Sequence, residues 1–437
     1  MRMSKILIAV HHFPPQYTGG AENRAFRTAL ALQNRGHTVQ VACIESITDD
    51  TTDPIRSSDE IYQGLPIRRY FFCLASAPDK FRWEYFNPWI GDQIPSLIRE
   101  FRPDIFHLFS GYLMTASALN AAFESQIRTV VSLTDFWFLC ARINMLRSNG
   151  QLDSRRTADQ VPRNTVECAR CMGEEQRRYR IPGRFLPGLM NLYWSRQTKR
   201  IQEIQLRNQT LLEALNRVDV ILSPSQFLRD VYIQAGVEPK RIHYLRQGVD
   251  LSSLKPLPPR PFSPPLRIGY IGQIANHKGV HILVKAVCSL PEDALDLSII
   301  GDATKFPNYT QKLMDQTGGD PRVHFTKPVE QGSMPEVYRN FDVVAVPSLW
   351  YENSPNVILE AFACQIPVIA SNLGGMAELV QDRRNGLLFE VGDDRDLARK
   401  LKSLLDNARM IDDLRMNIPP VKSEEQEINE LSSIYLN

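Results

Sequence analysis

The sequence predicts an α/β chain of two doubly wound domains in tandem, and three observations carry that expectation. At 437 residues the chain exceeds what one simple hydrophobic core organises. Short apolar runs of buried-strand type alternate with helix-like stretches, the rhythm of parallel βαβ units, and the series occurs twice. Between the two series lies Leu257 to Pro265, whose density of proline rules out regular helix or central strand.

In the first series Lys5 to Val10 is the opening strand. A loop rich in Pro and Gly follows, then a helix from about Gly20 to Arg35 that Gly36 terminates. Thr38 to Ile44 is the next strand, with others expected at Ile105 to Phe109, Thr129 to Leu133 and Val218 to Leu222. The second series places strands at Leu266 to Ile271, Leu295 to Ile300, Val323 to Thr326, Val343 to Val346 and Pro367 to Ala370. Behind a Pro419-Pro420 break, Ile428, Leu431, Ile434 and Tyr435 fall at helical spacing, so this last helix is expected to dock back on the first domain. The expected division is a first domain over 1–250, a linker over 251–265, a second domain over 266–417 and a returning helix over 418–437. Sheets of this kind bind ligands beyond the carboxyl ends of their strands, so a cleft faced by both domains is the expected binding place.

Composition narrows the function classes. A formal net charge of +2 gives no overall pull toward nucleic acid. No run of eighteen apolar residues is present, and Met1 to Lys5 leads into a strand instead of the apolar core of a signal peptide. Seven cysteines without regular overall spacing do not make a secreted disulfide framework, so a reducing cytoplasm is expected.

The most informative segment is Tyr351 to Ala363. It sets Glu352 on a loop and Glu360 inside a helix that Pro355 opens. Free N–H groups around Asn353 to Asn356, with the helix dipole, suit a diphosphate, and the two carboxylates suit sugar hydroxyls on either side. An ordinary loop-to-helix junction with one solvated and one salt-bridged Glu fits the pair equally. Lys278, in the loop Gly272 to Gly279, sits at a helix start where a cation is unfavourable unless an anion lies beside it, which favours a phosphate. In the first domain Gly19 and Gly20 let backbone approach a ligand closely, although the Gly-x-Gly-x-x-Gly spacing is absent and Glu45 gains little as a ribose ligand.

Gly19-Gly20-Ala21-Glu22, the Gly272 to Gly279 loop, Glu352 to Glu360, and Pro367 to Ala370 with Gly374-Gly375 and Glu378 together resemble family-four retaining glycosyltransferases with the GT-B fold of two Rossmann-like domains. The resemblance implies that Glu352 lies beside the transferred sugar, that Glu360 accepts from the nucleotide ribose, and that Lys278 binds the diphosphate with help from Gly19 and Gly20. It implies that Asn353, Ser354, Pro355 and Asn356 touch sugar and phosphate, and that Gly301 and Val329 contact the base through backbone. Such enzymes need no metal for transfer, and Asp394-Arg395-Asp396 then reads as a helix cap. Two positions depart from the family: Gln273 stands where an Arg is usual, and Thr134-Asp135 where many members carry His-Asp. Thr134 could still donate a hydrogen bond to the donor sugar, and Asp135 fits either an acceptor-side base or the cap of the following turn.

The first domain also carries an insertion. Cys140, Cys168 and Cys171 bracket a polar loop, and the resemblance adds Asp153 as the fourth position of a structural zinc site, with unlinked thiols as the alternative. Residues 141–207 hold fourteen cations against six acids, and Arg177 to Arg184 precede an apolar-aromatic run, a pattern that suits an anionic membrane surface or a helix packed on its own domain. The expectation is a cytoplasmic glycosyltransferase, peripheral at the inner membrane face, that uses a nucleoside-diphosphate sugar and a glycan or lipid-linked acceptor. A nucleotide-sugar 2-epimerase and a catalytically silent sugar-nucleotide-binding subunit are the rival readings.

Overall fold

The computed structural model describes residues 3–46, 55–147, 165–254, 256, 262–291, 295–329, 331–407 and 409–436. It divides into two compact units, Met1–Leu245 with Ile428–Asn437, and Arg246–Glu427. The division falls at Leu245, ahead of the proline-dense segment, which groups with the second unit.

Unit 1 opens with β1 (Lys5–Val10), α1 (Gly20–Asn34), β2 (Thr38–Ser46), β3 (Ile55–Tyr62) and β4 (Leu65–Phe72). Then come α2 (Lys80–Trp83), α3 (Pro88–Phe101), β5 (Ile105–Phe109), α4 (Thr115–Glu124) and β6 (Arg128–Ser132). The insertion supplies α5 (Thr165–Gly173), α6 (Arg177–Phe185), α7 (Pro187–Ser195) and α8 (Thr198–Arg217), before β7 (Val220–Ser223), α9 (Gln226–Gln234) and β8 (Ile242–Tyr244). The sheet order is β3-β4-β2-β1-β5-β6-β7-β8, parallel except for the edge pair β3 and β4. Strand β1 is buried at every position after Lys5, which is why it reads as a continuous apolar run instead of an alternation. Helix α1 turns Ala25, Ala29 and Leu32 to the sheet at helical spacing, and Gly36 ends it at φ +88°. The hairpin of β3 and β4 was not expected, because Ile55 to Tyr62 is polar at its centre; its signal is the two-residue turn Gln63-Gly64, both at positive φ.

Unit 2 runs β9 (Leu266–Ile271), α10 (Val280–Cys288), β10 (Leu295–Ile300), α11 (Pro307–Thr317), β11 (Val323–Thr326), α12 (Met334–Arg339) and β12 (Val343–Val346). It continues with α13 (Asn356–Ala363), β13 (Val368–Ser371), α14 (Gly374–Leu379), β14 (Gly386–Phe389), α15 (Asp394–Asp406) and α16 (Arg409–Met416). The order β11-β10-β9-β12-β13-β14, all parallel, is that of a Rossmann sheet. Its core joins Ile268, Leu283, Leu297, Val343, Ile369 and Leu401 from strands and covering helices. The cap of α15 lies one residue earlier than expected: the Asp393 carboxylate accepts from Arg395 N and Asp396 N, at 2.9 and 3.0 Å. Helix α17 (Glu424–Leu436) contributes Ile428, Leu431 and Tyr435 to the core of unit 1, where the Tyr435 hydroxyl lies 2.5 Å from His107 Nδ1.

Candidate active site

Strand order locates the ligand edge of unit 2. It reverses between β9 and β12, so the loops that follow these strands, Gly272 to Gly279 and Pro347 to Pro355, flank the switch point. The loops touch: Leu349 N donates to His277 O at 2.8 Å, and a Cβ on Gly279 would lie 1.9 Å from Pro347 O. A third segment joins them at the start of α14, where Gly375 N donates to Glu352 O at 2.8 Å.

Within this cluster three donors converge on one carboxylate oxygen. Lys278 Nζ, Trp350 Nε1 and Ser348 Oγ reach Glu352 Oε1 at 2.6, 2.7 and 2.9 Å. No described residue donates to Oε2. Burial pushes the Glu352 carboxyl up, but the Lys278 charge and the hydrogen bonds outweigh it and hold the group below the usual carboxylate range. Lys278 also lies 4.8 Å from the centre of the Trp350 ring. The cation at this helix start is therefore balanced by the protein's own Glu352, and the charge misfit seen in the sequence does not by itself require a phosphate. Burial, and then Lys278, push His277 down to about 4.

Glu360 lies one helix turn further in, where its Oε2 accepts from the Tyr338 hydroxyl at 2.8 Å. Gln247 Nε2 donates to Ser354 O at 2.7 Å and to the Asn356 side chain, and Arg246 pairs with Glu378. Pro355 is the N-cap of α13 and does not sit within its first turn. The hydroxyls of Ser354 and Ser371 are buried without a partner among the described residues, and native interiors leave few such groups unless a ligand or water uses them. Gly301 packs against the loop after β9, since a Cβ there would lie 2.2 Å from Gly272 O; Gln273 O accepts from the Tyr270 hydroxyl at 2.7 Å, and Val329 is exposed. Sequence reasoning missed Tyr338, Trp350, Ser348 and Gln247. Tyr338 and Gln247 reach the site from other segments of the chain, whereas Ser348 and Trp350 share the loop of Glu352 and turn back on it.

In unit 1 the sheet order reverses between β1 and β5. Gly19 caps α1, and a Cβ on Gly20 would meet nothing within 4 Å, so packing does not explain the glycine there. Beside it His11 Nε2 lies 3.3 Å from Glu22 Oε1, and Tyr17 stacks on His12 with ring centroids 4.0 Å apart. Burial pushes Glu22 up, but its hydrogen bond with His11 leads the influences that bring it below the usual range. Arg69, fully buried on β4, pairs with Glu45 and Glu60 and donates to the Pro14 carbonyl at 3.2 Å, so Glu45 braces this loop. The loop after β5 holds Ser110 and Leu113 at positive φ, as does Thr115 at the start of α4, a strain that the surrounding structure must hold in place.

Asp135 is a turn cap. One carboxylate oxygen accepts from Ser110 Oγ and Thr134 Oγ1, both at 2.9 Å, and the other from Trp137 N at 2.7 Å. Its carboxylate is thus engaged on both oxygens, the arrangement expected of a cap of the following turn. Cys140, Cys168 and Cys171 line one cavity with Glu167 and Asn208, and Asp153 lies outside the described residues. Among the described residues no three His, Cys, Asp or Glu side chains converge as a metal ligand set, and the fourth position of the expected zinc site lies outside them. No described helix is long and apolar enough to cross a membrane.

Two Rossmann-like units, one with a carboxylate and lysine at its switch point, make up an architecture of the GT-B type. The chain belongs to Glycosyltransferase Family 4: that family's pattern matches residues 18–253, and the pattern of Glycosyl transferases group 1 matches residues 265–407. It is 30% identical over 199 residues to a D-inositol 3-phosphate glycosyltransferase of Catenulispora acidiphila, an alignment covering 42% of this chain and 46% of the relative. The chain thus spans about half the length of the curated relatives it matches. Among solved structures it is similar to Anabaena HepE in complex with UDP, with a TM-score of 0.67, 17% identity, and 98% of this chain and 99% of that one covered. Sucrose-phosphate synthase from Thermosynechococcus elongatus gives a TM-score of 0.66 at 16% identity, covering 99% and 98% of the two chains.

Proposed function

We propose that this chain is a retaining glycosyltransferase that moves a sugar from a nucleoside-diphosphate sugar to a glycan or lipid-linked acceptor. Its products would be a cell-surface polysaccharide or glycolipid. The observation that carries this reading is the Glu352 carboxylate, with Oε1 held by three donors and Oε2 left for a ligand hydroxyl. In this assignment Oε2 accepts from the transferred sugar, while Lys278 and the N–H groups of Asn353, Ser354 and Asn356 balance the diphosphate. Pro355, which has no N–H, shapes the turn that presents them. Glu360, steadied by Tyr338, accepts from the ribose, and backbone at Gly301 and Val329 meets the base, with Gln273 bordering the diphosphate. In unit 1 the N–H groups of Gly19 and Gly20 are assigned to a phosphate, and Thr134, whose hydroxyl donates to Asp135, is assigned as an acceptor from a sugar hydroxyl.

With Asp135 occupied as a cap, the departing phosphate oxygen takes the acceptor proton. The bond from the anomeric carbon to the diphosphate breaks as the acceptor oxygen bonds on the same face, and the configuration is retained. Helix ends and Lys278 supply the charge balance for the leaving group. The place of action is the cytoplasmic face of a membrane, where a lipid-linked acceptor is presented. Thermal unfolding with a panel of UDP-, GDP- and ADP-sugars tests the donor assignment, because a ligand at a hundredfold excess over its Kd stabilises by about 2.7 kcal/mol. One base class should raise the Tm of unit 2; no shift from any of them overturns the assignment.

A further inference from the structure

The insertion of unit 1 leaves an apolar face uncovered. Helix α7 sends Met190 and Trp194 inward, into a small core with Ala169 and Ile204, and Tyr179 of α6 packs against it. The opposite side exposes Phe185 at 72% and Leu189 at 62%, with Ile181, Leu186 and Leu192 about half exposed. Large apolar side chains grouped in this way mark an interaction surface.

Charge identifies what covers it. From Gln176 to Lys199 the chain holds six cations and no Asp or Glu. Arg178, Arg180, Arg184, Arg196 and Lys199 are exposed around the apolar group. Neighbouring acids are already paired, Glu175 with Arg142 and Glu203 with Arg200. A second copy of this face would oppose cation to cation, whereas an anionic lipid surface offers negative headgroups above an apolar layer.

We propose that the α6–α7 pair is an interfacial membrane anchor. Phe185, Leu186, Leu189 and Leu192 enter the boundary between headgroups and acyl chains, and the arginines hold the anionic headgroups. The anchor deepens the membrane placement proposed above, and rests on that reading only for what the membrane presents to the enzyme. Its test needs no turnover: full-length protein is floated with phosphatidylcholine vesicles that do or do not contain about one-third phosphatidylglycerol. The protein should float with the anionic vesicles only. Phe185→Ser with Leu189→Ser should weaken that partitioning at least about tenfold. Arg178→Gln, Arg180→Gln and Arg184→Gln together should abolish the preference for anionic lipid. No flotation, equal flotation with neutral vesicles, or wild-type flotation of both variants overturns the anchor. So does a dimer in solution that the Phe185/Leu189 variant dissociates. Donor-induced thermal shifts, retained in both variants, keep this outcome separate from the donor assignment.

Discussion

Glu352 and Lys278 form one unit, and their substitutions should separate chemistry from binding. Gln at position 352 keeps the shape and still accepts from Trp350 and Ser348 at the Oε1 position, but offers no charge at Oε2. Glu352→Gln should therefore lower kcat about 10²- to 10³-fold while leaving nucleotide affinity near its starting value. Unchanged turnover in a donor-saturated assay would falsify the role. Lys278→Ala should act the other way, raising the Kd for nucleoside diphosphate in a calorimetric titration. An equal Kd would show that the lysine serves only its pairing with Glu352. Both residues were legible in the sequence as a loop acid and a lysine at a helix start. Their pairing was not, because Glu352 and Lys278 lie on loops after different strands.

At the scale of elements the site depends on loops meeting backbone to backbone. A Cβ on Gly375, at the start of α14, would lie 2.2 Å from Asn353 O. Gly375→Ala must therefore push the 352–354 loop aside, at a cost of about 1–3 kcal/mol, and donor affinity should fall with the Tm. Gly20→Ala is the contrasting case. The added methyl meets nothing, and alanine is the better helix former by about 1 kcal/mol, so the Tm should hold or rise. If turnover nevertheless falls, a ligand approaches that backbone; full activity removes Gly20 from the site. The Gly-Gly pair was visible in the sequence, but the difference between a glycine demanded by packing and one left open required the neighbours' positions.

For the molecule as a whole, acid stability reports on buried imidazoles. Burial pushes His12, His37, His277 and His281 below their ordinary value of 6.5, His277 to about 4. The unfolded chain then binds protons that the folded chain refuses between pH 6.5 and 4, so stability is lost as pH falls through that window. His277→Asn should flatten this loss in the unfolding transition of unit 2, measured in denaturant at several pH values, and an unchanged slope would show that His277 does not contribute. The sequence alone determined the α/β rhythm, the repeat of the βαβ series, the loop and helix glutamates and the helix-start lysine of the second series, and the basic, apolar insertion, because buried parallel strands and helix starts leave local patterns. The tertiary structure decided what those residues touch: Tyr338 on Glu360, Lys278 on Glu352, and an apolar face of α6 and α7 turned outward. Hydrogen-bond partners and exposed faces arise where distant segments meet, and no local period records that meeting.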